Sequence, residues 1–513
     1  MKTLPPKFFS YAVALAVIFW TPLAFTATAA KPILSRVSVT WSKVIRISDT
    51  TLTLQVVVNP MLRPGSPISH RAFQALRRLK ANFVRFVPWL PYPQLAVAEL
   101  KPPADGKTSW NFKLIDPMVQ DFMRATAGHP VIMNFSTIPE WMFQTPKPVT
   151  WPANPNQVVW NYEQGTKLRV SLKTLANYYA RLVSWYTRGG FRDEYGHWHK
   201  SPYHYHFAWW EVLNEVDFEH HMNVQEYTRW YDAITAAIHK VSPQTKFVGL
   251  ALASTSVGIW KPADLAWFRY FLNPRNHAPG TPLNMISYHF YAIPPKSTQP
   301  ATWPHIFFAQ ANEFLHEVRQ IQPIRQELSP QTTTDVDEMG SILPYDNEDT
   351  PKLLRPIPNM YWNLSGAMYA YLFAHLARQG IQIAGESQLI GYPSQVPSVS
   401  MVNWTTGVPN ARFRVLQLLR DNFGPGDKII ATRASAPGIF AQAFVTPSGE
   451  RKILLVNKRN KTVRLNLPAV NGAAETWVDQ RTAEKPLARR KLTRSSLRLR
   501  GLGVAVITLA QNI

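Results

Sequence analysis

Two glutamates stand where this sequence can do chemistry. Glu215 closes an apolar run inside HFAWWEVLNEVDFEHH (residues 206–221), next to Asn214 and just before a polar loop. Glu338 stands in TTTDVDEMGS (residues 332–341), again at the end of a strand-like run and before a small, turn-forming segment. Two carboxyl groups roughly 5 to 5.5 Å apart can cleave a glycosidic bond with retention, one protonating the leaving oxygen and one attacking the anomeric carbon. A strand-end carboxyl that is partly desolvated keeps its proton to higher pH, which suits Glu215 to the acid role.

Strand alternation puts Glu211, Leu213 and Glu215 on one face, so Glu211 is expected deeper in the fold, as a structural group. The same alternation turns Asp335 and Asp337 away from the face that carries Glu338, toward the helix layer or a loop. Glu338 is therefore preferred over both as the nucleophile. Trp89, Trp141 and Trp404 each end or follow a strand-like run, where indole rings can stack on a sugar or simply pack. Trp404, in VNWTTGVPNARF, is the preferred subsite wall.

These residues need a scaffold that gathers strand ends. From about Thr51 to Gly424, eight short β-branched or aromatic runs alternate with eight longer amphipathic ones, the pattern of repeated β-α units closing into a (β/α)8 TIM barrel. The strands expected are Leu52–Val58, Phe83–Trp89, Val131–Thr137, Phe207–Glu215, Lys246–Ala251, Met285–Tyr291, Thr333–Glu338 and Ile381–Ile390. The helices expected between them include Ser69–Lys80 with Ser69 as N-cap, Val224–Val241, Phe307–Gln322 and Asn359–Gln379 with Gly380 as its stop. Glu215 then ends barrel strand four and Glu338 barrel strand seven, at the C-terminal mouth where barrel active sites lie. After FGPGDK (residues 423–428) short alternating strands take over, the signature of a β-sandwich. The division expected is residues 1–29 as a leader, 30–50 as a strand segment that can join the sandwich, 51–427 as the barrel and 428–513 as the sandwich.

An Asn-Glu pair ending strand four and a Glu ending strand seven resemble the clan A glycoside hydrolases, and within them family 39, which includes β-xylosidases and α-L-iduronidases. That family likewise joins a barrel to a β-sandwich, and the likeness covers nearly all of the chain beyond its leader. The resemblance implies Glu215 as acid/base, Glu338 as nucleophile and Asn214 as the partner of the sugar 2-hydroxyl. It also implies that His289 and Tyr291, in MISYHFYA, approach the nucleophile and the sugar. Arg85, in NFVRFVPWLPY, is similar to the strand-two arginine whose fixed charge favours the ionised nucleophile, though an ion pair with Glu211 reads equally well. The usual Trp-Asn-Glu-Pro is here Leu213-Asn214-Glu215-Val216, which leaves the subfamily open.

Composition bounds the rest. The chain has 513 residues, no cysteine, and a formal charge of +23, so disulfides and thiolate chemistry are excluded and polyanions such as acidic glycans are attracted. Lys2 and Lys7, the apolar stretch of residues 8–25 and Ala27-Thr28-Ala29 read as a signal peptide, giving a secreted or periplasmic protein with no stable membrane insertion after cleavage. His204, His206, His220 and His221 with Asp217 and Glu219 match no compact metal motif, and no phosphate loop appears, so neither metal nor other cofactor is expected. The expected partner is a carbohydrate, an acidic glycan being favoured by charge; the basic run ARRKLTRSSLRLRG (residues 488–501) reads as a solvated strand face rather than a nucleic-acid site. The alternatives are a transglycosylase with the same residues, or a catalytically silent carbohydrate-binding barrel whose carboxylates have lost one supporting partner.

Overall fold

The computed structural model describes residues 34–510 apart from 146, 148, 161, 163, 165, 166, 254–263, 345, 347–356, 468 and 469. The leader segment lies outside the described residues. Eight parallel strands close a barrel: β2 (Thr51–Val57), β3 (Val84–Val87), β4 (Val131–Met133), β7 (Trp209–Glu211), β8 (Lys246–Leu252), β9 (Met285–Ala292), β10 (Thr333–Ser341) and β11 (Ile383–Glu386). A two-stranded excursion, β5 (Gly190–Arg192) and β6 (Trp198–Lys200), precedes the fourth barrel strand, β7.

The helical layer comprises α1 (Ser69–Leu79), the single turn α2 (Pro93–Ala96), α3 (Asp116–Ala125), α4 (Leu172–Thr187), α5 (Val224–Val241), α6 (Leu265–Phe271), α7 (Trp303–Leu328), α8 (Asn359–Gln379) and α9 (Ala411–Arg420). Two expectations at helix ends need correction. Ser69 is the first helical residue and caps nothing; its own N–H donates to Ser66 Oγ at 3.0 Å. Helix α7 runs through Pro323 to Leu328, because Ile324 is buried and Arg325 fastens the last turn to Gln322, Pro330 and Thr332. Gly380 does stop α8, in the left-handed conformation with φ 75°.

The remaining strands are β1 (Leu34–Ile47), β12 (Lys428–Ala434), β13 (Ile439–Val445), β14 (Arg451–Asn457), β15 (Val463–Asn466), β16 (Ala474–Val478), β17 (Ala488–Lys491), β18 (Ser496–Leu499) and β19 (Val504–Thr508). They form one nine-stranded sheet in the order β17-β16-β19-β14-β13-β12-β1-β15-β18. The sheet curls into a sandwich at β1, which pairs antiparallel with β12 and, through Leu34–Arg36, parallel with β15. Val37, Ile430, Leu455, Val463, Leu465 and Leu497 fill its interior from both sides.

The aromatic content mostly builds core. Phe112 stacks on Trp185 at 4.2 Å and Phe135 on Trp210 at 5.8 Å, behind the barrel wall. Only a few rings are left to face the mouth.

Candidate active site

Arg85, 1% exposed on β3, is the hub of the barrel mouth. Its Nε donates to Glu211 and lies 3.1 Å from Asp337, Nη1 donates to Gln55 Oε1 and to Glu338 Oε1 at 2.6 Å each, and Nη2 donates to Asn214 Oδ1 at 2.6 Å. The two readings of Arg85 are thus both true at once: it pairs with Glu211 and it holds Glu338. A planar fork with five N–H groups can do this, whereas a lysine cannot. Glu211 sits at the bottom, accepting also from Asn134 and from Ser287 Oγ. Burial outweighs Arg85 there and pushes the Glu211 carboxyl up to about 7.

Glu338 reaches the mouth by a route that alternation does not foresee. Along β9, Ser287, His289 and Tyr291 all point inward. Ser287 lies opposite Asp335 and His289 opposite Glu338, so β10 spends three residues where β9 spends two. This β-bulge turns Glu338 inward without turning Asp337 outward. Asp337, expected to face the helices, instead lies beside Arg85 and 3.6 Å from His289 Nε2; those two cations overcome burial and hold its carboxyl below the usual range. Asp335 is buried as well, and burial together with Asp337 and Glu211 raises its carboxyl far above that range. Gly340 follows because a Cβ there would come 2.9 Å from Arg412 Nη2 and 3.1 Å from the Ser387 carbonyl oxygen.

Glu338 Oε2 accepts from the Tyr291 hydroxyl at 2.6 Å, and that hydroxyl shares a 2.5 Å hydrogen bond with Ser387 Oγ, which in turn accepts from Gln55 Nε2 at 2.7 Å. Both oxygens of Glu338 are therefore aimed.

Glu215 lies across from it. The regular part of β7 ends at Glu211 because Leu213 and Glu215 both adopt left-handed backbone, with φ 65° and 42°. Such strain persists only where the surroundings fix it: Glu215 N donates to the Ala251 carbonyl at 2.9 Å, and the Glu215 carbonyl accepts from Phe218 and Glu219. Glu215 Oε1 is 2.9 Å from His289 Nδ1. Burial raises the Glu215 carboxyl above its ordinary value, with His289 opposing and Glu338 adding. Burial also disfavours a charged His289, but Glu338, Asp337 and hydrogen bonds to Asp337 and Glu215 outweigh it and raise the ring well above the ordinary imidazole range. One oxygen of Glu215, one of Glu338 and one His289 nitrogen lie within 4.8 Å of one another. That set is compact enough to surround a metal ion, yet each member is already engaged by a neighbour in this mouth.

Above the carboxylates lies a cavity of about 230 Å³ lined by Glu215, Glu338, Asn214 and Gln55, with Trp89, Trp160 and Phe218 among its apolar walls. Trp89 is where the sequence reading put it. Trp141 is not in the wall: it sits in a 3₁₀ turn, and its indole donates to the Glu99 carbonyl at 2.9 Å. Nor is Trp404, which packs half-buried against the main core; the chain after β11 presents Gln388, Val396 and Val399 instead. Trp160 and Phe218 went unnoticed because each stands in a loop without periodicity. Replacing Trp89 with alanine is expected to raise KM by about tenfold through loss of a stacking face, while Trp404→Ala leaves KM unchanged; steady-state kinetics on one substrate decides both.

Glu219, which the sequence offers only within a set that matches no metal motif, is the other residue missed. It accepts from Trp89 Nε1 at 2.6 Å, Asn214 Nδ2 at 2.9 Å and Gln164 Nε2 at 3.3 Å. Burial, then Glu215, pushes its carboxyl up to about 8. Asn214 is thereby clamped between Arg85 and Glu219, with one amide N–H left to meet a ligand.

A parallel barrel with two close carboxylates at the end where its loops enclose a sugar-sized pocket is the architecture of glycoside hydrolases. The chain belongs to the glycosyl hydrolases family 39, whose profile matches residues 75–348, more than half of its length. No curated protein matches it. Solved structures share the fold: the GH51 arabinofuranosidase from Xanthomonas axonopodis pv. citri has 11% identity over 93% of this chain and 100% of its own, with TM-score 0.63. AbfB, a family 51 α-L-arabinofuranosidase from Bifidobacterium longum, has 12% identity over 94% and 99%, with TM-score 0.61. CelM2, a bifunctional glucanase-xylanase from a metagenome library, has 13% identity over 93% and 99%, with TM-score 0.56. The protein is a glycoside hydrolase, and a carbohydrate is its substrate.

Proposed function

We propose that this protein is an exported, retaining O-glycosidase that removes neutral sugars. The observation that carries the mechanism is the approach of Glu215 and Glu338 to within 4.8 Å, the short separation that double displacement uses. Glu338 attacks the anomeric carbon while the bond to the leaving oxygen breaks and the Glu215 proton passes to that oxygen. Water, deprotonated by Glu215, then releases the sugar from Glu338 and regenerates both groups. Asn214 offers its remaining amide N–H to the 2-hydroxyl, and Tyr291 with Arg85 holds both oxygens of Glu338 in position.

The neutral substrate follows from charge. Among the described residues no lysine or arginine lines the cavity; Arg85 lies beneath it and is spent on Glu211, Asp337 and Glu338. A sugar carboxylate would face Glu215 and Glu338, whose neighbouring cations Arg85 and His289 are already engaged by them. This pocket lining favours a neutral sugar over the acidic one that net charge suggests. Xylosides and arabinosides, named in the activities of the structural neighbours, are the first substrates to try.

Proton NMR of the first-formed product, on a panel of aryl xylosides, arabinosides, glucosides and glucuronides, tests the proposal. Retained configuration and preference for the neutral members are expected; an inverted first product, or glucuronide as the best substrate, sinks it. The basic limb of the kcat/KM profile should lie above the ordinary carboxylate range, since activity needs protonated Glu215 and burial raises it. His289 lowers that value, so His289→Phe is expected to move the limb to higher pH. A limb that stays put or moves down would show that His289 does not govern the acid.

A further inference from the structure

More than half of the formal charge of +23 sits in the last sixth of the chain: residues 428–513 hold sixteen Lys and Arg against four Asp and Glu. The charge is also shaped. Strands β17 and β18 are the two ends of the nine-stranded sheet, and the short turn joining them brings both ends to one cleft of about 440 Å³. Arg464, Arg490, Lys491, Arg494 and Arg498 line it, with Thr493 and Ser496 hydroxyls between them and, among the described residues, no acidic side chain.

Arg464 and Arg498 stand directly opposite each other in the antiparallel register of β15 and β18. Like charges so placed repel and weaken the pairing. Arg490 pairs with Glu475 at 2.6 Å, but among the described residues Arg464, Lys491, Arg494 and Arg498 have no salt-bridge partner. A sheet edge that tolerates this repulsion is relieved when an anion lies along it.

We propose that this cleft is a second glycan-binding site and takes an acidic polysaccharide, one carrying carboxylates along its backbone. The proposal rests on the glycosidase reading: the barrel pocket takes a neutral sugar while the sandwich holds the charged chain to which that sugar is attached. Among the described residues no aromatic ring lines the cleft, so single-stranded nucleic acid finds no surface there for its bases to stack on. Leu492 and Leu497 are buried, so a lipid surface finds nothing apolar to anchor it. A flexible chain of carboxylates needs neither.

The test is affinity electrophoresis of the full-length protein through gels containing polygalacturonate, arabinan or xylan, followed by titration across ionic strength. Polygalacturonate alone is expected to retard it, more weakly as salt rises. Arg464→Ser/Arg498→Ser should weaken that binding roughly tenfold or more, with kcat/KM on an aryl glycoside unchanged. Arg77→Ser/Arg78→Ser, which removes equal charge from exposed positions of α1, should leave binding intact. Equal loss in both double variants, retardation by the neutral polymers, or tighter binding to single-stranded DNA or to anionic vesicles overturns the proposal. Hydrolysis of aryl glycosides without polygalacturonate binding would overturn this site alone; binding without any hydrolysis would overturn the catalytic reading instead.

Discussion

Replacing Glu338 with alanine should lower kcat by roughly 10⁴- to 10⁶-fold on an activated aryl glycoside, the scale on which loss of a nucleophile is felt. Side-chain removal leaves Arg85 Nη1 and the Tyr291 hydroxyl pointing into an empty, cationic hole. Azide should enter it, attack the anomeric carbon from the vacated side and release a glycosyl azide of inverted configuration. Product NMR reads this directly. Glu215→Ala differs in kind: it removes the proton donor, so its penalty should be small for a good leaving group such as dinitrophenolate and large for an alkoxide. A Glu338→Ala enzyme that keeps a tenth of its activity would mean that another carboxylate attacks, and Asp337 is the nearest contender.

Arg85→Met carries the second large effect, and it falls on stability. The guanidinium is buried among Glu211, Asp337 and Glu338 and answers Gln55 and Asn214 as well. Breaking a buried ion pair by removing one partner costs about 3–5 kcal/mol, and here Arg85 is the cation that answers buried Glu211, while Asp337 and Glu338 keep only His289. Urea denaturation should show a loss of this size. Arg85→Lys should recover little, since one ammonium cannot reach Glu211, Glu338 and Asn214 together. The sign with pH follows from Asp337, whose carboxyl Arg85 holds low. That stabilisation is present above the unfolded carboxylate value and fades as pH falls through the depressed folded one, so wild type and Arg85→Met should converge in strong acid.

The parts of the molecule dictated by period were legible from residues alone. Helices α5 and α8 run between the expected residues, and all eight barrel strands fall where short β-branched runs lie between them. His289 and Tyr291 meet the two glutamates because they alternate along β9. What escaped has no period. The extra residue in β10 is visible only against its partner β9, so alternation misplaced Asp337. The left-handed turns at Leu213 and Glu215, which end β7 early, belong to residue types that ordinarily avoid them. Trp404 was read as a wall from its place in the chain, but a loop's direction is set by what it packs on. Glu219 enters the site through Trp89 and Gln164, dozens of residues upstream, partners that no local pattern reveals.

Strand β1 belongs to the far end of the chain although it is made first. Its partners in β12 and β15 lie some four hundred positions downstream, and every barrel strand is synthesised in between. During synthesis a hydrophobic ribbon bearing Val37, Val39 and Trp41 must wait unpaired while the barrel closes behind it. The same seam therefore depends on segments from both sides of the barrel, so deleting β1 or deleting β12 should spoil it alike, and neither the barrel nor the sandwich can be cut away cleanly with a single break in the gene.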